Sequence, residues 1–471
     1  MMLYDALAQE DAEQMYEAWK KRLDAAQKEI VDFVIEQVGS DVVGYFGGYL
    51  EEGSYNICLV VKLNAKPTYV IRFPQPGTTA TCFLDEKVRN EVQVMDLLRE
   101  TTIPIPKVYS WGLTTDSPSQ LGPYIIMEYV EGKPLIDELR RRIKTSDGVE
   151  LDLWRDLGNT RVLRACSQIC DYILQIHQLD FSAAGAIRRS NPNEWVASER
   201  PATDNMNILA RNILNYPSEY FPTTSISSPK VYFEQLADQH LAHLHTQRNA
   251  VENREDARRC FIARHRLKQS IDQYLLNDTE TSPFKLYCWD LRPSNILVDD
   301  DLNVKAVLDF EFCNALPAQF SHDPPWWLTI LRPTTWIDND FHFGALKDRL
   351  EPHIEQFLQV MEKKEKEMGG TAVPLSARMR DSWISNRFWF NIAMKNSWSI
   401  DAVYWAALHK SGDEVLDDAL KVKMEAFVEM KMEQLAAYKA ECKAHGIEIE
   451  RVCRGASLYR VHCNRYNSAL R

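Results

Sequence analysis

The stretch Tyr287-Cys288-Trp289-Asp290-Leu291-Arg292-Pro293-Ser294-Asn295-Ile296-Leu297-Val298-Asp299 places an aspartate five positions before an asparagine, with a short apolar run directly after it. Fourteen residues past Asn295, a second apolar run, Val307-Leu308, ends on Asp309-Phe310-Glu311. Residues 299–303 between the two runs are acidic and polar, the composition of a turn. The pattern predicts a loop, a strand, a turn and a second strand that closes on Asp309. A lone Asp or Asn on a loop most often caps a turn. Here the order and spacing of three such residues carry the information.

Upstream of this stretch the chain changes character twice. Residues 10–38 read as one helix, because Met15, Trp19, Leu23, Ala26, Ile30 and Val34 recur at spacings of three and four. Residues 42–50, 56–63 and 68–73 are short, β-branched or aromatic runs separated by turn formers, so three strands are expected. A charged amphipathic helix is expected at 85–99, ended by Pro104 and Pro106, followed by strands at 107–112 and 124–130. After a link at 131–134 the chain turns mostly helical. Helix is expected over 162–178, an irregular excursion over 188–230, and helix again over 231–277. Strands are expected at 285–289, 296–298 and 305–310, and the tail from about 378 reads as helical, with Leu416, Leu420, Met424, Phe427 and Leu435 on one long helix.

Composition narrows the class. The 471 residues are 45% apolar and 26% charged, the balance of a globular protein with a large core. Fifty-five basic against 67 acidic residues leave a net charge of −12, which argues against a general binder of nucleic acid or of an anionic membrane. No apolar run approaches the ~18 residues of a membrane span. The N-terminus MMLYDALAQEDAEQ does not read as a secretory signal. Ten cysteines without a CxxC pair read as reduced thiols, so a cytoplasmic location is expected.

The D-L-x-x-x-N spacing of Asp290 and Asn295, followed by Asp309-Phe310-Glu311, resembles the catalytic loop and metal-binding aspartate of kinases. Such chemistry needs an aspartate that reaches the hydroxyl being phosphorylated and an asparagine that turns back to a metal ion on the nucleotide phosphates. More closely, the pattern resembles the aminoglycoside phosphotransferase and choline kinase branch, and residues 309 onward carry no A-P-E element of the protein kinases. The phrases VIRFPQPG, IPIPKVYSWG, LGPYIIMEYVEG and DPPWW are similar to uncharacterised fungal members of that phosphotransferase family. The resemblance runs from about residue 40 to 335.

The resemblance implies an α+β, bilobal protein-kinase-like fold: a small antiparallel-sheet lobe over 1–130 and a large, mainly helical lobe over 131–471. It implies ATP and Mg²⁺ as cofactors and a small-molecule hydroxyl as acceptor. Gly53 and Ser54 then lie in a hairpin over the phosphates, Arg72 holds phosphate with Glu91 as its partner, and Glu128 and Tyr129 form a hinge facing the adenine. Asn295 and Asp309 are implied as metal ligands and Asp290 as the catalytic residue. Two positions depart from the family pattern: Cys288 replaces the usual catalytic-loop histidine, and Arg72 replaces the third-strand lysine, with Lys62 as an alternative phosphate ligand. The departures and the lack of a glycine-rich loop motivate an alternative reading as a pseudokinase or scaffold. Elsewhere, His240, His243 and His245 read as a solvated helix face, His177 as structural, Cys166 and Cys170 as core, and Trp326 and Trp327 as core or as a wall of the acceptor pocket.

Overall fold

The computed structural model describes residues 4–50, 53, 55–64, 67–144, 150–154, 160–276, 283–329, 343–370 and 373–447. Two of the ten cysteines, Cys453 and Cys463, lie outside them. The chain opens with helix α1 (Ala6–Ala25), whose N-cap carboxylate, Asp5, accepts the Leu7 amide at 3.0 Å. Helix α2 (Gln27–Gln37) follows at once. The single helix expected over 10–38 is therefore two, broken at Ala26, which leaves helical geometry at φ −91° and ψ 5°. Trp19, Leu23, Ala26, Ile30 and Val34 still form one buried stripe across the break, whereas Met15 faces solvent.

That stripe packs on a five-stranded antiparallel sheet of order β1-β2-β3-β5-β4: β1 (Gly44–Tyr49), β2 (Asn56–Leu63), β3 (Thr68–Pro74), β4 (Val108–Gly112) and β5 (Tyr124–Glu128). Strand alternation sorts the faces. Tyr69, Ile71 and Phe73 join Trp19 and Ile126 in the core under α1 and α2, so Arg72 must point the other way. The opposite face receives helix α3 (Leu84–Leu98), through Val88 and Val92 against Ile125. Gly77, in the loop after β3, has φ +86°, and a Cβ there would lie 2.3 Å from the Ala12 carbonyl of α1. Only glycine permits that approach.

The large lobe is mainly helical. Its core is built by Thr160–His177, Pro229–Thr246, Phe343–Glu367, Leu375–Ile384 and Arg387–Lys395 around the strand Phe284–Tyr287. That strand pairs with Asn314–Pro317 on one side and Asp180–Phe181 on the other. The predicted hairpin is present: Ile296–Val298 pairs with Val304–Val307, in the register Ile296↔Val307. Its far edge pairs with Lys133–Pro134, which joins the lobes, and Gly132 fits there because a Cβ would lie 3.0 Å from Leu297 Cβ.

Three expectations change. Residues 188–230 are largely ordered: a hairpin, Ala186–Asn191 with Glu194–Glu199, leads into the helix Asp204–Asn212. The region 231–277 is three helices, because Asn253 caps a new start at Arg254–Gln269 and Ser270 separates Ile271–Tyr274. The strand expected at 305–310 stops at Val307, since Asp309 turns to φ +66°.

Candidate active site

The two strands deliver Asn295 and Asp309 to one place. Asn295 ends a 3₁₀ turn, its amide bonded to the Arg292 carbonyl at 2.9 Å. Its own carbonyl accepts the Leu308 amide at 2.8 Å, so the two motifs are tied directly. The Asn295 side-chain Nδ2 donates to Asp290 Oδ2 at 2.8 Å and to the Asp290 carbonyl at 3.0 Å. Arg292 Nε donates to the same oxygen, Asp290 Oδ2, at 3.0 Å, while Asp290 Oδ1 is buried and accepts no hydrogen bond among the described residues. Cys288, where the family keeps a histidine, hydrogen-bonds Cys313, whose thiol burial pushes well above its usual range. Trp326 Nε1 adds a bond to the Trp289 carbonyl at 3.0 Å. The loop is thus held without an imidazole.

Arg72 and Glu91 meet as strand and helix geometry require. Their buried ion pair lies between β3 and α3, and Arg72 Nη1 also sits 3.5 Å from Asp309 Oδ1. Burial disfavours the charged guanidinium, but Glu91 and Asp309 outweigh it and hold Arg72 charged. The second oxygen of Glu91 accepts the Phe310 amide at 3.2 Å, fixing the turn that presents Asp309. Burial, then the neighbouring Glu311, pushes the Asp309 carboxyl well above its usual range, against the pull of Arg72. A second cation close to Asp309 would lower that cost. Lys62 is exposed on the sheet, away from this cluster, which removes it as the alternative to Arg72.

Several residues of the site escaped the sequence reading. Lys87 lies fully buried, 2.5 Å from Glu311 Oε2 and 2.9 Å from Asn56 Oδ1. Asn56 Nδ2 in turn donates to Glu311 at 2.8 Å. The available signal was the spacing: Lys87 is one helical turn before Glu91 and so shares its face. Asn90, on the same helix, accepts the Ile187 amide at 2.9 Å and donates to the Cys313 carbonyl.

Other expected residues are placed as follows. The Gly53 carbonyl accepts Gln75 Nε2 at 3.3 Å, and Gln75 also holds the Asn56 carbonyl. Ser54 lies outside the described residues. Glu128 and Tyr129 sit at the crossing between lobes, but their amides already bond the Lys107 and Thr68 carbonyls at 2.9 and 3.3 Å. His240 and His243 are buried, not solvated: His240 Nε2 lies 3.0 Å from the Met394 carbonyl, and His243 packs beside Arg264. His245 alone of the three is exposed. His177 is half-buried with its ring tilted against that of His322, 5.5 Å between centres, and Cys166 and Cys170 are buried.

Chemically, the cleft offers an amide oxygen from Asn295 and a carboxylate from Asp309, both hard donors suited to a hard cation. Among the described residues no group of three or more His, Cys, Asp or Glu could hold a metal ion. Any cation here would need further oxygens from a ligand or water, as Mg²⁺ on phosphates does.

Over 334 residues the chain is 22% identical to Altered inheritance of mitochondria protein 9 of Meyerozyma guilliermondii, covering 66% of this chain and 54% of that one. The protein of the same name from Yarrowia lipolytica is 32% identical over 88 residues, 18% of this chain and 15% of its own. The chain thus spans about half the length of the first relative and far less of the second. Among solved structures, it is similar to a thermostable mutant of an aminoglycoside phosphotransferase in ternary complex with ADP and hygromycin B, at TM-score 0.41 and 14% identity, covering 85% and 97% of the two chains. It is also similar to an ethanolamine kinase of Plasmodium vivax, at TM-score 0.41 and 13% identity, covering 86% of each. Residues 50–320 match the phosphotransferase enzyme family. That match takes in β2 to β5, α3 and the whole cluster from Arg72 to Asp309, more than half of the sequence, and the chain belongs to the phosphotransferase enzyme family.

Proposed function

We propose that the protein is a small-molecule kinase that transfers the γ-phosphoryl group of ATP to a substrate hydroxyl. The observation that supports this best is the joining of Arg72, Glu91 and Asp309 across the two lobes, next to the Asp290–Asn295 pair. Arg72, oriented by Glu91, grips phosphate oxygens. Asn295 and Asp309 hold Mg²⁺, which when bound offsets charge on the transferring group. Asp290 orients the acceptor hydroxyl and takes its proton. The acceptor oxygen then forms the new bond to phosphorus as the bond to the bridging oxygen breaks, and ADP leaves. The hinge at Glu128 and Tyr129 would meet the base through groups other than its amides, which bond the Lys107 and Thr68 carbonyls.

The test is calorimetric titration of a non-hydrolysable ATP analogue, with and without Mg²⁺, on wild type and Asp309→Ala. Binding that needs Mg²⁺ and is lost in the variant supports the reading, and Asp290→Ala should keep binding but abolish turnover. A scaffold reading draws on one observation, the double engagement of Asp290 Oδ2 by Arg292 and Asn295. Absence of nucleotide binding under both conditions would favour it.

A further inference from the structure

Beside the catalytic loop lies an open cleft of about 80 Å³. Cys288, Trp289 and Leu291, which flank Asp290, line it together with Trp326. On the kinase reading above, this is where an acceptor would sit.

The cleft contains an ammonium group of its own. Lys395 Nζ lies 5.0 Å from the ring centre of Tyr287, 5.3 Å from Trp289 and 5.1 Å from Phe320. Aromatic faces converging on one point form the ordinary receptor for a ligand ammonium. Here the chain fills that receptor itself. The ammonium is pinned by Asp323 Oδ2 and the Tyr287 hydroxyl, each at 3.0 Å. The other Asp323 oxygen is taken by Ser382 at 2.7 Å and Asn391 at 2.8 Å. Lys395 and Asp323 are both more than nine-tenths buried.

An incoming cation would therefore meet a fixed like charge and a carboxylate whose oxygens are both occupied. An incoming oxygen would meet the third N–H of Lys395, since two of its three donors are used among the described residues. Ser321 Oγ also lines the cleft, buried and without a hydrogen-bond partner among the described residues. The flat walls of Trp289 and Trp326, 6.0 Å apart between ring centres, suit a planar apolar body.

We propose that Lys395 is a specificity residue that makes this pocket take hydroxylated molecules with a flat apolar body and a neutral or anionic oxygen, and reject ammonium-bearing ones. This deepens the kinase reading and rests on it.

Three probes sharing one body and one hydroxyl test it: 4-(hydroxymethyl)benzoate, 1,4-benzenedimethanol and 4-(hydroxymethyl)benzylamine. Their binding to the full chain is measured by ligand-observed NMR, with and without the Mg²⁺-bound ATP analogue. The carboxylate and the diol should bind at least tenfold more tightly than the amine. Lys395→Met should erase or invert that order. If the single variant does not fold, Lys395→Met with Asp323→Asn leaves no buried unpaired charge and is compared instead. An amine that binds as well as the carboxylate to wild type would overturn the proposal, as would an unchanged order in the folded variant or no binding of any probe. Retained Mg²⁺-dependent nucleotide binding in those cases would leave the kinase reading standing. Loss of nucleotide binding with the probe order intact would remove the kinase reading alone.

Discussion

Asp309 stands at φ +66°, a left-handed conformation that costs most residues roughly 1–2 kcal/mol but that Asp and Asn tolerate best. The Glu91 carboxylate holds it there through the Phe310 amide. Beside this point lies a second buried ion pair, Lys87 with Glu311. Removing one member of a buried pair typically costs ~3–5 kcal/mol, because the other is left charged and unpaired. Lys87→Met should therefore lose stability of that order in urea unfolding. Adding Glu311→Gln should recover most of the loss, since Asn56 still donates to the remaining oxygen. If the double variant is no more stable than the single one, the pair is not the source of the effect. Asp290, Asn295 and Asp309 were legible because they sit in motifs with fixed spacing, whereas Arg72 and Glu91 were reached through the family resemblance. Lys87, Asn56 and Arg292 were not, because their importance depends on partners distant in sequence or on a loop geometry that composition does not show.

Among the elements, α3 does two jobs. Its apolar side packs on the sheet, while Lys87, Asn90 and Glu91 face the large lobe. Asn90 supports the hairpin that the sequence reading left irregular. Its first strand has four exposed residues in a row, Arg188 to Asn191, and too little apolar alternation to announce itself. Asn90→Ala would leave the Ile187 amide and the Cys313 carbonyl unpaired and buried, at ~1–3 kcal/mol for each group. Hydrogen exchange at Ile187 should accelerate accordingly, and unchanged protection there would show that the hairpin stands without Asn90. At the other end of the small lobe, Trp19 is buried and its Nε1 donates to the Leu121 carbonyl at 2.7 Å. Trp19→Ala should cost ~3–5 kcal/mol by thermal or urea denaturation. A loss below about 1 kcal/mol would mean that α1 is not part of the small-lobe core.

For the whole molecule, the buried imidazoles set the acid limit. Burial, then Lys285, lowers His177 to about 4; burial, then Arg264, lowers His240 to about 3; burial, then His177, lowers His322 to about 2. Each folded value lies below the ordinary 6.5, so the unfolded chain binds protons first as pH falls. The stability these groups contribute is complete above about pH 6.5 and is lost progressively below it, at up to about 1.4 kcal/mol per pH unit for each imidazole. Thermal midpoints should fall steadily from pH 7 to pH 4. His240→Gln, still able to donate to the Met394 carbonyl, should flatten part of that slope. A slope equal to wild type would show that His240 titrates freely.

The strands flanking Asp290, Asn295 and Asp309 and the sheet of the small lobe were determined by the sequence itself. Those features rest on local spacing: period two in strands, period 3.6 in α3, and loops of fixed length between polar residues. Only the tertiary structure decided that His240 and His243 are core rather than surface, that α1 and α2 are separate helices, and that Lys395 sits among Tyr287, Trp289 and Phe320. Lys395 is 108 residues from Tyr287 and 72 from Asp323, and no local pattern records that approach. The cost of burying an ammonium without partners makes the packed arrangement specific, and it exists only once the helices of the large lobe have closed around it.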